Sequence, residues 1–205
     1  MKQSSWMSVL EWIWRVVSIN LCWIGFTALG LGIFGFFPSS IALFTIVRKW
    51  LRKETDVSVW KTFSQVYFKE WKRTNGIALV YYAIGIFLFT DIRIVMELMT
   101  GTFSTFLLVF FCALFILLFL SMGYFFALYT HFELTIKDYI KQSFIFSVTS
   151  IKSTLWIGAG LSVVGFLMFK VPGLLLFISG VAPAYWIMTV CMSRFHQLEK
   201  MASQS

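Results

Sequence analysis

Polar side chains are scarce inside the apolar stretches of this sequence, and those few are the first candidates for chemistry. Asn20 lies well inside one such stretch, and Thr27 follows about two helical turns later, where both can share one face. Polar residues in membrane helices usually bond a neighbouring helix, whereas an ionisable one marks a candidate functional site. Asp91, Arg93 and Glu97 lie at the end of another apolar stretch, where we expect a solvated rim.

Groupings that perform catalysis or hold a metal do not occur in the sequence. His131 and His196 belong to no HExxH motif, and the cysteines Cys22, Cys112 and Cys191 are far apart with no CxxC. No GxxxxGK[ST] loop is present either, so the chain carries no ATPase of its own. We therefore expect no enzyme, no metal site and no cofactor.

The composition is that of a chain dissolved in lipid rather than in water. Of its 205 residues, 59% are hydrophobic, 20% are aromatic and 13% are charged, and the mean hydropathy is +0.83. Soluble proteins carry about 25% charged residues, which cover their surface. We therefore predict a single integral membrane domain over residues 1–205, with the lipid bilayer as its surroundings.

Long apolar stretches predict an all-α bundle of transmembrane helices, because about 20 apolar residues cross the hydrocarbon core of a bilayer. Lys170, Pro172 and Gly173 interrupt the last apolar run and divide it into a hairpin. The expected spans are 12–33, 35–51, 76–96, 103–129, 153–170 and 172–193. Six spans are preferred, and five remain an alternative because 35–51 is short.

The basic residues decide between these two arrangements. If 35–51 crosses the membrane, all of the 17 Lys and Arg residues except Arg93 and Lys170 face the cytoplasm, as the positive-inside bias requires. Both termini are then cytoplasmic. If it does not cross, the basic residues near the N-terminus face outward as well. The bias also explains most of the net charge of +8 without a nucleic-acid partner.

Two segments between the spans, 56–73 and 135–148, have apolar and aromatic residues at helical spacing with basic residues beside them. This pattern is typical of a helix that lies in the headgroup region. We predict two amphipathic cytoplasmic interfacial helices that contact lipid or a protein partner. The candidate contact residues are Trp60, Phe63, Tyr67, Trp71, Lys72, Arg73, Tyr139 and Lys141.

A further set of residues carries a family resemblance. Residues 35–44 read GFFPSSIALF, and they are followed by Val47-Arg48-Lys49-Trp50 and by Trp60-Lys61-Thr62-Phe63. With 134–145 and Thr154-Leu155, this sequence resembles the YesL-like family of bacterial membrane proteins over nearly the whole chain. The motif residues are Gly35, Pro38, Ala42, Arg48, Lys49 and Trp50. Ser39-Ser40 departs from the less polar pair expected after this proline.

The resemblance implies an architecture, since the family is a domain of unknown function with no defined catalytic residues. Its members are often encoded beside carbohydrate ABC importers, which implies a multi-pass protein of the bacterial cell membrane with an accessory role in oligosaccharide uptake. We expect a non-enzymatic accessory or regulatory subunit that contacts the permease subunits of a sugar ABC transporter. The alternative is a small solute transporter or channel, with a path lined by Asn20, Thr27 and Asp91.

Overall fold

Eight helices make up most of the described chain. The computed structural model describes residues 5–202, apart from the side chains of residues 5, 8 and 197–202, so Lys2 and both chain ends lie outside it. The helices are α1 (Ser5–Leu29), α2 (Ile33–Leu51), α3 (Val59–Leu98), α4 (Thr102–His131), α5 (Ile136–Thr149), α6 (Ile151–Lys170), α7 (Leu174–Ile178) and α8 (Val181–Ala202). The predicted all-α class is confirmed.

Four of these helices are long and apolar enough to cross a membrane. They are α1 over Val9–Leu29, α3, α4 and α6. Their outer faces carry many exposed aromatic and aliphatic side chains, such as Trp14, Phe87, Phe106 and Phe166. Such surfaces are unfavourable in water and suit the hydrocarbon of a bilayer. The membrane character expected from composition is therefore supported.

Helices α1 and α2 form a hairpin whose turn depends on glycine. Gly32 N donates to Thr27 O at 2.9 Å and Leu31 N donates to Ala28 O at 2.9 Å, with Leu31 at φ 56°. This is a Schellman-type helix end, with a residue in the left-handed region. Beyond it the helices almost touch, because a Cβ on Gly35 would lie 2.3 Å from Thr27 O.

Helix α2 is the centre of the bundle. It packs against α1, α3, α4 and α8. Most of its length is buried, including Phe37, Ile41, Ala42 and Val47. Aromatic rings from three helices close around Phe37, whose centroid lies 5.3 Å from that of Phe126 and 5.8 Å from that of Tyr81. The family motif therefore lies in the core of the fold.

Helix α3 differs from the expected arrangement. The segment 56–73 was expected to form a separate helix that leads into the span 76–96. The structure instead has one unbroken helix of 40 residues, Val59–Leu98, about 60 Å long at 1.5 Å per residue. Thr74, Ile77 and Ala78 are buried at the expected joint, so packing on one side keeps the helix continuous.

The second half of the chain follows the expected order, with one additional break. Helix α5 matches the predicted segment 135–148, and Thr135 Oγ1 accepts a bond from Asp138 N at 3.3 Å, which caps its start. Helix α6 ends at Lys170, as predicted. The predicted span 172–193 is interrupted, since α7 ends at Ile178 and α8 begins at Val181.

We predict that Gly35→Ala loosens the α1–α2 hairpin. The added Cβ would meet backbone atoms, Thr27 O at 2.3 Å and Phe26 O at 2.8 Å, so the helices must separate, at a cost of about 1–3 kcal/mol. Thermal unfolding in detergent measures the effect as a lower midpoint. Gly25→Ala is the matched control, because a Cβ there meets nothing within 4 Å. Equal midpoints for the two variants would contradict this account.

Candidate functional site at the junction of helices α3, α4 and α5

A cluster of polar aromatic contacts joins α3 to the turn between α4 and α5. Arg73 Nη2 donates to Leu134 O at 2.8 Å. The Arg73 guanidinium carbon lies 5.3 Å from the ring centroid of Tyr129 and 5.6 Å from that of Tyr139, within the range of a cation–π contact. The two tyrosine rings have centroids 4.7 Å apart. We call Glu70, Arg73, Tyr129 and Tyr139 the junction cluster.

Hydrogen bonds hold this cluster in one geometry. Tyr129 OH donates to Glu70 Oε2 at 2.5 Å. Tyr139 OH donates to Phe132 O at 2.6 Å and accepts from Leu134 N at 3.0 Å. Tyr139 is 2% exposed, so its hydroxyl replaces water as the partner of the turn backbone. The start of α5 is thereby fixed relative to the middle of α3.

Exposed lysines and apolar residues lie on both helices that the cluster connects. Helix α3 presents Trp60 and Phe68, which are 66% and 68% exposed, beside the exposed Lys61, Lys69 and Lys72. Helix α5 presents Ile136, Ile145 and Val148 beside the exposed Lys137 and Lys141. We call these residues the junction surface. Its charge is basic, which suits an acidic or anionic partner.

The structure divides the predicted contact residues into two groups. Trp60, Lys72, Arg73 and Lys141 are exposed, and Trp71 is partly buried. Phe63, Tyr67 and Tyr139 are instead buried, at 0%, 2% and 2% exposure. The helical spacing of the aromatics was identified correctly, but the aromatic face points inward rather than toward lipid or a partner.

This aromatic face is buried because an aromatic ring of α1 packs against it. Phe26 packs against Phe63 and Tyr67 with centroids 5.2 and 4.8 Å apart. Tyr67 OH also donates to Phe26 O at 3.0 Å. No periodicity in 56–73 could reveal that another helix covers this face.

The family motif supports the fold from within α2. Arg48 Nη1 donates to Thr130 O at 2.6 Å, at the end of α4, where free helix carbonyls need donors. Trp50 packs on Trp12 of α1 with centroids 5.1 Å apart. Pro38 and Ala42 are buried, and Lys49 is partly buried.

The unexpected serine pair after Pro38 has a structural explanation. Ser39 Oγ lies 2.6 Å from Thr27 Oγ1, and Ser40 Oγ accepts from Trp23 Nε1 at 3.2 Å. Both hydroxyls therefore serve the α1–α2 contact. This also accounts for Thr27, one of the predicted intramembrane polar residues.

Asn20 supplies the hydrogen bonds that the break between α7 and α8 leaves open. Its Oδ1 accepts from Gly180 N at 2.8 Å and from Val181 N at 3.2 Å, and its Nδ2 donates to Leu176 O at 2.9 Å. Asn20 is 0% exposed. Backbone groups freed by a helix break in an apolar bundle must be satisfied by protein. Asn20 thus bonds a neighbouring helix, as such residues were expected to do.

The other predicted polar residues lie elsewhere on the molecule. Arg93 forms an exposed ion pair with Glu97 one turn later in α3, and Asp91 is partly buried nearby. They do not approach Asn20 through any described contact. Among the described residues, no group of three His, Cys, Asp or Glu side chains could hold a metal ion.

Sequence reasoning missed Glu70 and Tyr129. Glu70 is an acidic residue among the lysines of 56–73, and Tyr129 ends an apolar span. An acidic residue among lysines was an available signal for a bond to a neighbouring helix. Its partner could not be named without knowing that α4 passes beside α3.

We predict that Asn20→Leu destabilises the α7–α8 break. The change removes the acceptor for two buried N–H groups and the donor for one carbonyl, each worth about 1–3 kcal/mol when left unsatisfied. Hydrogen exchange measured by mass spectrometry should be faster over 176–184. Thermal unfolding in detergent should have a lower midpoint. Asn75→Leu is the control, because Asn75 Nδ2 bonds Trp71 O within its own helix. Unchanged protection of Gly180 in Asn20→Leu would contradict the assignment.

A known protein family matches part of this chain. The family described as a protein of unknown function, DUF624, matches residues 16–92, which include α2 and most of α3. No solved structure matches the chain.

Three uncharacterized proteins of Bacillus subtilis (strain 168) are similar over most of the chain. YteU is 37% identical over 170 residues, covering 82% of this chain and 75% of YteU. YesL is 30% identical over 171 residues, covering 81% and 78%, and YesV is 30% identical over 169 residues, covering 82% and 80%. The resemblance seen in the α2 motif is thus confirmed, and the chain belongs to the DUF624 family, with YesL and its relatives.

Proposed function

We propose that this protein is a non-enzymatic accessory or regulatory membrane subunit that binds the permease subunits of a carbohydrate ABC importer. The observation that carries the proposal is the junction cluster, which links α3 to the start of α5. Arg73 donates to Leu134 O at 2.8 Å, so a direct contact connects the two segments. A preformed surface loses little conformational entropy when a partner binds.

The chemistry of the surface suits a protein partner at the membrane edge. Exposed Trp60 and Phe68 supply apolar contact, and flanking lysines supply charge. Tryptophan is enriched among the residues that dominate binding energies, and charged residues around it direct association. Members of the resembling family are often encoded beside carbohydrate ABC importers, and this association suggests the class of partner.

We also propose six spans with both termini in the cytoplasm. Helix α2 has 19 residues, about 28 Å at 1.5 Å per residue, close to the hydrocarbon thickness of about 30 Å. Helix α3, at 40 residues, is about twice the length that a crossing requires.

Co-purification from native membranes tests the function. We expect the tagged full chain, extracted in a mild detergent, to recover importer permease subunits, identified by mass spectrometry. Trp60→Ala combined with Lys72→Glu should reduce recovery at least about tenfold, equivalent to about 1.4 kcal/mol. The control pair is Trp156→Ala with Lys152→Glu, which are exposed residues of α6 outside the junction surface. Absence of permease subunits in the wild-type sample, or equal losses in both pairs, would refute the proposal.

Cysteine labelling tests the topology. In a variant without the native cysteines, Lys2→Cys and Lys170→Cys are treated separately with a membrane-impermeant maleimide on intact cells. Six spans predict that position 170 is labelled from outside and position 2 is not. Both positions react after the cells are permeabilised, which controls for accessibility. Labelling of position 2 on intact cells would support five spans.

The alternative function, a small solute transporter or channel, is favoured by one observation. Helix α7 ends at Ile178 and α8 begins at Val181, and interrupted helices form the substrate sites of many transporters. However, Asn20 and Thr27 use their polar groups to bond neighbouring helices. Solute flux into liposomes that contain only this protein would favour the alternative over the accessory role.

A further inference from the structure

A cavity of about 260 Å³ lies among α2, α4, α6 and α8, beside the break between α7 and α8. Phe119 and Gly123 line it from α4, Leu161 lines it from α6, and Gly180 lies at the break. Gly180 brings the break close to α1, since a Cβ there would lie 2.7 Å from the Trp23 ring. None of these residues belongs to the junction surface.

The wall of the cavity is almost entirely apolar. Its hydroxyl groups belong to Ser40 and Ser179, and both are already in use as acceptors. Ser40 Oγ accepts from Trp23 Nε1 at 3.2 Å, and Ser179 Oγ accepts from Asn20 Nδ2 at 3.4 Å. A sugar would leave most of its hydroxyls without partners here, at about 1–3 kcal/mol each. The occupant must therefore be largely hydrocarbon.

The cavity opens toward the surface that faces the bilayer. Phe119, at its edge, is 56% exposed. The outer faces beside it carry Ile116 of α4 and Val163 and Phe166 of α6, which are 59–61% exposed. The mouth is thus continuous with the apolar surface that contacts lipid. Molecules that reach it arrive from within the hydrocarbon layer.

We propose that this cavity binds one acyl chain of a membrane phospholipid, which enters sideways between α4 and α6. At about 260 Å³ it is smaller than the pockets of about 300–1,000 Å³ that hold drug-sized ligands, and it suits the end of a single chain. An empty apolar space forfeits the dispersion contacts of its lining atoms. A chain that fills it stabilises the contact between the two halves of the bundle.

Photochemical labelling of the full-length protein in liposomes tests this proposal. The probe is a phosphatidylcholine with a diazirine at the end of one acyl chain; its zwitterionic headgroup avoids attraction to the basic surface. Ile157 and Ile187 line the cavity and are 0% and 6% exposed, so bulk lipid does not reach them. Ile116 reports contact with bulk lipid. We expect labelling of Ile157 and Ile187 within about threefold of Ile116 by mass spectrometry.

Variants that fill the cavity distinguish an acyl chain bound inside it from contact with bulk lipid. Leu161→Trp from α6 and Leu120→Trp from α4 fill the cavity from different walls and should reduce the labelling of Ile157 and Ile187 at least about fivefold. Val163→Trp adds the same ring to the outer face of α6 and should change nothing. Because either filling variant could misfold, each is first checked for the wild-type elution volume and helical content. Labelling of the buried isoleucines below one tenth of Ile116, or an equal loss in Val163→Trp, would overturn the proposal.

Discussion

The hydrogen bonds of Asn20 are the interaction on which the second half of the bundle depends. A helix that stops at Ile178 and restarts at Val181 exposes backbone groups that find no water in an apolar bundle. Asn20 offers one acceptor and one donor group from α1 and satisfies both sides of the break. It thereby attaches the first helix to the last two, and its full burial leaves no water to compete with these bonds.

The close approach of neighbouring helices to α2 also follows from apolar surroundings. In lipid, helices gain little from the hydrophobic effect when they associate, so packing and interhelical hydrogen bonds must hold them together. Gly35 lets α1 and α2 approach until a Cβ would clash, and Ser39 and Ser40 use that proximity to bond Thr27 and Trp23. The family motif is best understood as the set of residues that makes this central helix fit its neighbours.

The junction cluster and the apolar cavity are two separate features of the bundle, since they share no residue. The junction cluster links α3 to α5 through Arg73 and two tyrosine rings, and its charged and apolar neighbours remain exposed. The cavity beside the α7–α8 break has an almost entirely apolar lining. The accessory subunit that we propose would thus bind a protein partner through one region and lipid through another.

The all-helical class and the membrane character could be predicted from the sequence, because composition and periodicity depend only on neighbouring residues. The bounds of α5 and the end of α6 at Lys170 were predicted closely for this reason. The start of α3 and the break within 172–193 could not be predicted in this way. The family was identified from resembling residues that lie in α2, α3, α5 and α6.

Which helix faces are covered depends on how the helices pack against one another. The aromatic face of 56–73 is buried because Phe26 packs on it, and α3 continues through the expected joint because other helices cover Thr74 and Ile77. Asn20 could be identified as a helix-bonding residue, but its partner lies about 160 positions away, at Gly180. Pairings over such separations depend on how helices pack in space, and that information is not contained in any local pattern.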